Sequence, residues 1–265
     1  MRGRVLIIAG SDSGGGAGIQ ADIKTVTALD AFAMTAVTAI TVQNTKGVFG
    51  VHPIPVETIT QQIEAVMADL GADVIKTGML ATVDVIEAVA DCLARVAPKL
   101  PRVIDPVMRA KGGYPLLADD AAQCLIRRLV RGATVVTPNL PEAEVLVGRS
   151  IKTETDMRAS VDAMRALGAE AVLLKGGHLE GERVLDLLIT RDGVTDFADT
   201  RIHTRSTHGT GCTLASAIAA GLAQGLGLEA AVTRARGYVR EAIETAPGYG
   251  SGHGPLNHAH TVTNL

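Results

Sequence analysis

"RVLIIAGSDSGGGAGIQADIKT" (residues 4–25) decides how the rest of the chain is read. After Arg4, residues 5–9 are apolar at both odd and even positions, the pattern of a short strand buried on both faces. The glycines of 10–18 break that run. Beyond them Ile19, Ile23, Val26 and Leu29 recur at helical spacing within "AGIQADIKTVTALD" (17–30), which predicts an amphipathic helix. A buried strand, a glycine-rich turn and a helix make the opening half of an α/β unit.

The alternation continues. Strand-like runs at 35–42, 73–78, 102–105, 133–138 and 170–177 are separated by helical stretches at 56–70, 82–96, 119–132, 141–147 and 153–168. Six strands of continuous apolar character, counting the first, predict a mostly parallel central sheet with helices on both faces. Residues 184–199 read as an antiparallel excursion, and helices over 211–226 and 228–245 close the sequence. No repeat, low-complexity segment or Pro/Ser-rich linker divides it, so residues 1–265 are expected to form a single domain.

Composition narrows the function. The 265 residues are 47% hydrophobic with a formal net charge of −3, no Trp, three Tyr and three Phe. A slightly acidic chain with so few aromatics lacks both the basic footprint and the stacking platform of a nucleic-acid binder. No apolar run reaches the ~18 residues of a membrane span, and the first residues lack a signal-peptide pattern, which predicts a cytoplasmic protein. Cysteines at 92, 124 and 212 contain no CxxC pair and imply neither a zinc site nor a disulfide framework.

In open α/β sheets ligands bind beyond the carboxyl ends of the strands. The segments in those positions are "GSDSGGGAG", "QNTKG", "KTGML", "DPVMRAKGG", "TPNLPEAE" and "KGGHL", and they hold most of the unusual polar residues. The glycine-rich turn lacks the Gly-Lys-Ser/Thr of a Walker A loop. It does contain Gly16-x-Gly18-x-x-Ala21, compatible with a dinucleotide site, but the second strand ends in Gln43-Asn44 rather than the acid that a ribose requires. A nicotinamide oxidoreductase is therefore a remote alternative. Asp22 falls on the apolar stripe of its helix. A carboxylate near a helix N-terminus gains from the dipole, but one turned inward needs a partner, and the sequence points to a ligand.

"THGTGC" (207–212) supplies a helix start with free N–H groups, an anion hole for a phosphoryl group. Cys212 there is either a small core residue or a thiol whose pKa the helix end lowers. Lys175, closing "AVLL", is either a snorkelling strand end or a phosphate contact. Asn139, Glu142 and Asp105 offer oxygen ligands of the kind magnesium takes when it rides on a nucleotide, although Glu142 after Pro141 also suits an ordinary helix start. Lys76, His208 and the histidines at 253, 258 and 260 remain without an assigned ligand role. The HxH of 258 and 260 reads as structural.

Taken in order, "AGSDSGGGAGIQADIKT", "VQNTKGV", "KTGML", "DPVM", "TPNLPEAE", "LLKGGH", "THGTGCTLASAIAA" and "GPLNHAH" resemble the hydroxymethylpyrimidine and phosphomethylpyrimidine kinases of the ribokinase-like superfamily, over nearly the whole chain. The resemblance implies a ribokinase-like three-layer sandwich. It also implies ATP- and Mg2+-dependent phosphorylation of 4-amino-5-hydroxymethyl-2-methylpyrimidine and then of its monophosphate, and a homodimer. By the same resemblance Gly10, Asp22, Gln43, Met79 and Val107 would hold the pyrimidine. Lys175, Thr210, Gly211 and Asn139 would hold the nucleotide, and Asp105 and Glu142 would serve the metal. Cys212, Lys175, Gly209 and Gly211 would form the catalytic centre, with Cys212 where sugar kinases carry aspartate. Pyridoxine kinase is the near alternative, separated here by Gln43, and a non-catalytic pyrimidine sensor is a third.

Overall fold

A computed structural model describes residues 1–110, 112–118 and 120–262. Strand β1 (Arg4–Asp12) leads through the glycine turn into α1 (Gly18–Ala28), as the opening stretch predicts. Next come β2 (Phe32–Asn44), β3 (Gly47–Pro53), α2 (Val56–Asp69), β4 (Val74–Thr77), α3 (Val83–Val96) and β5 (Arg102–Ile104). Helix α4 (Ala121–Leu125) runs on as a single π turn over Ile126–Val130; Asp119, placed at its head by the sequence pattern, lies outside the described residues, as does Lys111. Then β6 (Val135–Val136), α5 (Leu140–Val147), α6 (Glu154–Ala159), α7 (Val161–Arg165), β7 (Ala171–Lys175), β8 (Arg183–Thr190), β9 (Val194–Thr200), α8 (Thr210–Ala223) and α9 (Leu228–Glu244) follow.

Among the described residues nine strands form one sheet in the order β3-β2-β1-β4-β5-β6-β7-β8-β9. The six strands read from sequence are its parallel part, from β2 to β7. Strands β8 and β9 are antiparallel, as expected of 184–199. Side chains of β1 alternate between two cores: Leu6 and Ile8 pack with α2–α5, while Val5, Ile7 and Ala9 pack with α1, α8 and α9. That division explains why the strand is apolar at both parities.

Two departures have local causes. Strand β3 is absent from the sequence reading because "GVFGVHP" carries two glycines, a proline and no apolar side. It forms by pairing antiparallel with a β2 that runs two residues beyond its expected end, through a turn in which Asn44 Oδ1 accepts from the Lys46 N–H at 2.9 Å. The helix expected over 153–168 is two helices broken at Ser160, whose buried hydroxyl donates to the Met157 carbonyl at 2.7 Å and competes with the helical ladder.

On the α1/α8 face of the sheet lies a buried ion pair. Asp22 on α1 and Lys76 on β4 are both 0% exposed, with Lys76 Nζ 2.8 Å from each carboxylate oxygen and Ser216 Oγ of α8 donating to Asp22 Oδ1 at 2.7 Å. Burial works against the Lys76 charge, but Asp22 and the neighbouring Asp105 and Cys212 outweigh it and hold the ammonium above its usual range. The expected ligand role of Asp22 is thereby corrected. The inward-facing carboxylate does have a partner, and the partner is a lysine of the next strand.

A charge left alone in that interior is expensive, so Lys76→Met should destabilise the protein by about 3–5 kcal/mol. Asp22→Leu combined with Lys76→Met should recover at least half of the loss, short of the cost of the orphaned Ser216 hydroxyl. Urea unfolding of the two variants checks both values.

Candidate active site

The site lies where the parallel strands end and α5 and α8 begin. The register aligns Ile8 with Thr77, Thr77 with Ile104 and Ile104 with Val136, so Gly10, Gly78, Asp105 and the residues after β6 emerge side by side. The β1–β2 ladder is irregular between Ala9 and Ser11, at Gly10, and such irregularities re-aim a chain at a strand end. A cavity of about 700 Å³ opens along this edge.

Its wall contains Gly10, Gln43, Met79, Val107, Asp105, Asn139, Glu142, Lys175, Gly209, Thr210, Gly211 and Cys212. Of the residues expected to bind substrate, nucleotide or metal, Asp22 alone lies away from it, under the floor. Helix α8 begins at the cavity. Gly209, its cap, has φ +82°, and a Cβ there would sit 1.8 Å from the Gly16 carbonyl oxygen, so only glycine allows the two turns to touch. The first-turn N–H groups of α8 have no helical acceptor and give that end a partial positive charge. A methyl group on Gly211 would come 3.3 Å from Lys175 Nζ and 3.7 Å from Asp105 Oδ2. The lysine and the helix end therefore face one spot.

That spot is rich in carboxylates. Lys175 Nζ is 3.5 Å from Asp105 Oδ1, and Asp105 and Glu142 are almost fully buried. Glu142 and Asn139 form a capping box: Asn139 Oδ1 accepts from Glu142 N–H at 2.9 Å, and Glu142 Oε2 accepts from Asn139 N–H at 2.8 Å. Glu142 thus caps α5 and at the same time lines the cavity. Burial pushes its carboxyl up to about 7, with Asp105 adding to the rise and Lys175 opposing it.

Cys212 is half-buried at the head of α8. Its thiol is pushed up to about 12, mainly by burial, with the Asp22 and Asp105 carboxylates adding to it and Lys76 and the Gly18 N–H pulling the other way. The sequence left two readings of Cys212 open, and the rise through desolvation and the two carboxylates runs opposite to the lowering a helix N-terminus would give.

Three comparisons with known proteins bear on this arrangement. The model of the phosphomethylpyrimidine kinase family matches residues 12–257. The chain belongs to that family. The hydroxymethylpyrimidine/phosphomethylpyrimidine kinase of Bacillus subtilis is 49% identical over 96% of this chain and 94% of its own. The thiamine biosynthesis bifunctional protein ThiED of Geobacter sulfurreducens is also 49% identical, over 97% of this chain, which spans about half (52%) of that larger protein. Among solved structures, the phosphomethylpyrimidine kinase of Clostridium difficile aligns with a TM-score of 0.80 at 42% identity, over 91% of this chain and 99% of that one. An ADP complex of Bacillus subtilis pyridoxal kinase aligns with a TM-score of 0.89 at 38% identity over 98% of both chains. The fold is the ribokinase-like α/β sandwich, and the phosphomethylpyrimidine kinase family is a family of phosphotransferases.

In this family member three groups near the cavity escape sequence reasoning. Asp12 is nearly buried and takes N–H groups from Gly14 (2.8 Å), Gly16 (3.1 Å) and Ala17 (2.8 Å), while His208 Nε2 approaches its Oδ2 at 2.8 Å. An aspartate two residues before a glycine run is a recognisable turn signal, present in "GSDSGGG" but not singled out. Lys76 was legible as a lysine inside an apolar strand. Arg236, which lines the far end of the cavity, pairs with Asp186 and, at 2.6 Å, with Asp199; nothing in the sequence connects those three positions. The HxH histidines hold local structure: His258 Nε2 is 3.0 Å from Thr213 Oγ1, and His260 Nε2 is 3.1 Å from the Tyr238 carbonyl.

A thiol held near 12 is un-ionised at neutral pH, and the thiolate is the form that reacts with electrophiles. Carbamidomethylation of Cys212 by iodoacetamide, followed by peptide mass spectrometry, should be slow at pH 7. Its rate should climb about tenfold per pH unit with no plateau below pH ~10. A plateau near neutrality would show an activated thiol.

Proposed function

We propose that the protein is an ATP-dependent kinase of thiamine biosynthesis that phosphorylates hydroxymethylpyrimidine and then its monophosphate. The observation that carries this reading is the common focus of Lys175 and the α8 N-terminus, set between two dissimilar ends of one cavity. Toward β1 and β2 the wall offers Gly10, Thr41, Gln43, Met79 and Val107, a small half-polar slot suited to a pyrimidine ring. Toward β8 and α9 it offers Val184, Ile202, Val239 and Ile243, an apolar surface suited to a nucleotide base. A nucleotide lying from the second end toward the middle brings its terminal phosphate to Lys175, Asn139, Thr210 and Gly211. The acceptor's hydroxymethyl group meets it from the other side.

Phosphoryl transfer through a loose transition state depends more on position and charge than on a strong base. The acceptor oxygen forms a bond to the γ-phosphorus as the bond to the bridging oxygen breaks. The α8 amides and the Lys175 ammonium stabilise the charge that collects on the transferring group and the leaving diphosphate. A neutral Cys212 thiol leaves the acceptor hydroxyl to lose its proton late, with the sulfur as a weak hydrogen-bond acceptor. For the second transfer the acceptor oxygen is already ionised, so the thiol matters less.

The donor set fits a magnesium ion carried by the nucleotide. Two buried carboxylates lie beside one ammonium, and burial, with Asp105 adding to it, pushes the Glu142 carboxyl up to about 7. Asp105 and Glu142 would hold the ion, directly or through water, and the ion would supply charge neutralisation along the phosphates.

A homodimer is part of the proposal, supported by the exposed apolar side chains Ile40, Val42 and Phe49 on the β2–β3 hairpin. No described helix is long and apolar enough to cross a membrane, and a cytoplasmic location is proposed with it. Pyridoxal phosphorylation is the second reading, favoured by the solved pyridoxal kinase at TM-score 0.89.

Incubation with ATP and magnesium and with hydroxymethylpyrimidine, pyridoxine and ribose in parallel should give hydroxymethylpyrimidine phosphate and then its diphosphate, read by mass spectrometry. Phosphorylation of pyridoxine alone would reverse the order of the two readings. The carboxyl of Glu142 must ionise to serve a cation, and its pKa near 7 means that protons compete below that pH. The magnesium concentration giving half-maximal rate should therefore rise about tenfold from pH ~8 to pH ~6. In Glu142→Gln it should be high at both and nearly flat.

A further inference from the structure

The hydrogen-bond partners of Gln43 give His208 a role. His208 Nε2 lies 2.8 Å from Asp12 Oδ2 and 3.2 Å from Gln43 Nε2. Asp12 already accepts three backbone N–H groups. Although burial opposes its ionisation, hydrogen bonds from His208, Gly14 and Ala17 hold its carboxyl below the ordinary range. An ionised carboxylate only accepts, so the 2.8 Å contact requires a hydrogen on Nε2, whether the ring is neutral or charged. A ring nitrogen that bears hydrogen cannot accept one from an amide. The Gln43 atom that faces His208 must therefore be an oxygen.

The other end of the amide gives the same answer independently. Thr41 Oγ1 is 2.9 Å from the Ser11 carbonyl oxygen, which also only accepts, so the single hydroxyl hydrogen is committed there. The Gln43 atom 3.1 Å from that hydroxyl must then donate. A half-turn of the amide about its last bond exchanges oxygen and nitrogen within the same volume. After that turn no donor faces a donor: Ala17, Gly16 and Gly14 donate to Asp12, the one His208 Nε2–H points at Asp12 and is shared with the Gln43 oxygen as the longer branch of a bifurcated bond, Gln43 donates to Thr41, and Thr41 donates to Ser11.

We infer that Gln43 is held with its carbonyl toward His208 and its NH2 toward Thr41, and that His208, aligned by Asp12, is the positioning residue that makes the site selective for an aminopyrimidine edge. The selectivity rests on the proposed reading in which Gln43 faces the acceptor ring. A locked amide presents its remaining N–H and its remaining lone pair to the cavity in one order. A 4-aminopyrimidine offers an amino donor beside a ring-nitrogen acceptor, whereas the 4-oxo analogue offers an acceptor beside an N–H donor. With the hydroxymethyl group directed at the phosphate site, the ring cannot turn over to compensate. A site that leaves a buried polar group unpaired rejects the wrong partner strongly.

The test compares kcat/KM for hydroxymethylpyrimidine and its 4-oxo analogue in the wild type, His208→Phe, His208→Gln and Thr41→Val. Wild type should prefer the amino ring by roughly a hundredfold or more. His208→Phe and Thr41→Val should each cut that ratio about tenfold or more, the value of one misplaced buried hydrogen bond. The change should appear in KM for the ring, with KM for ATP nearly constant, and His208→Gln, which keeps a donor, should recover part of the ratio. A ratio unchanged in both His208→Phe and Thr41→Val, with all substrates weakened alike, overturns the inference and leaves the kinase reading standing. Wild type inactive on the aminopyrimidine overturns the kinase reading, and the selectivity with it. The amide orientation is tested without substrate, in 15N-labelled wild type: the Gln43 NH2 hydrogens should show nuclear Overhauser contacts to the Thr41 methyl group. Contacts to the His208 ring instead overturn the orientation, and that measurement holds even if a variant fails to fold.

Discussion

A single carboxylate organises the site. Asp12 gathers the N–H groups of the glycine turn and binds the imidazole of a residue 196 positions away. A turn with so many glycines is costly to order, and these hydrogen bonds to a charge are the strong kind that offsets the cost. With the turn fixed, Gly16 and Gly209 meet backbone to backbone, and the start of α8 is set against the end of β1. The α8 N-terminus, the Cys212 thiol and the cavity-lining Gln43 amide are grouped around that contact.

Charge is layered beneath and around it. The buried Asp22–Lys76 pair under the floor is balanced within itself, while beside the α8 N-terminus the Asp105 and Glu142 carboxylates lie near the Lys175 ammonium, and Arg236 at the far end is taken up by Asp186 and Asp199. Burial raises the pKa of the Glu142 carboxyl and of the Cys212 thiol, and the Asp105 carboxylate adds to both. Such a place suits a nucleotide that brings its own cation, because free nucleotide phosphates would meet like charges.

The sequence made the parallel sheet legible because its central strands are buried on both faces and read as apolar runs, and because β2, exposed on one side, is still rich in Val, Ile and Thr. The exposed β3, with glycines and proline, gave no such signal. Twelve of the residues expected to bind or to catalyse could be placed on the cavity because the strand ends are a topological constraint, and their order along the chain fixes which of them become neighbours. Asp22 was legible as an inward-facing charge, but its partner was not, since pairing with Lys76 spans 54 residues and depends on which strand lies beside β1. The sign of the Cys212 shift was hidden for a related reason. A helix end is visible in sequence, whereas the depth of burial and the carboxylates that converge from other elements are not.

Residues 252–258 reach back over the first part of the chain. His253 N–H bonds the Thr45 carbonyl at 2.8 Å, His208 N–H bonds the Gly254 carbonyl at 3.0 Å, and His258 meets Thr213 in the first turn of α8. During synthesis every strand has left the ribosome before this clasp emerges. The sheet can collapse early, but closure of the active turn waits for contacts of very long sequence separation, which are slow to form. The sheet therefore takes its shape before the turn that borders the cavity is pinned in place.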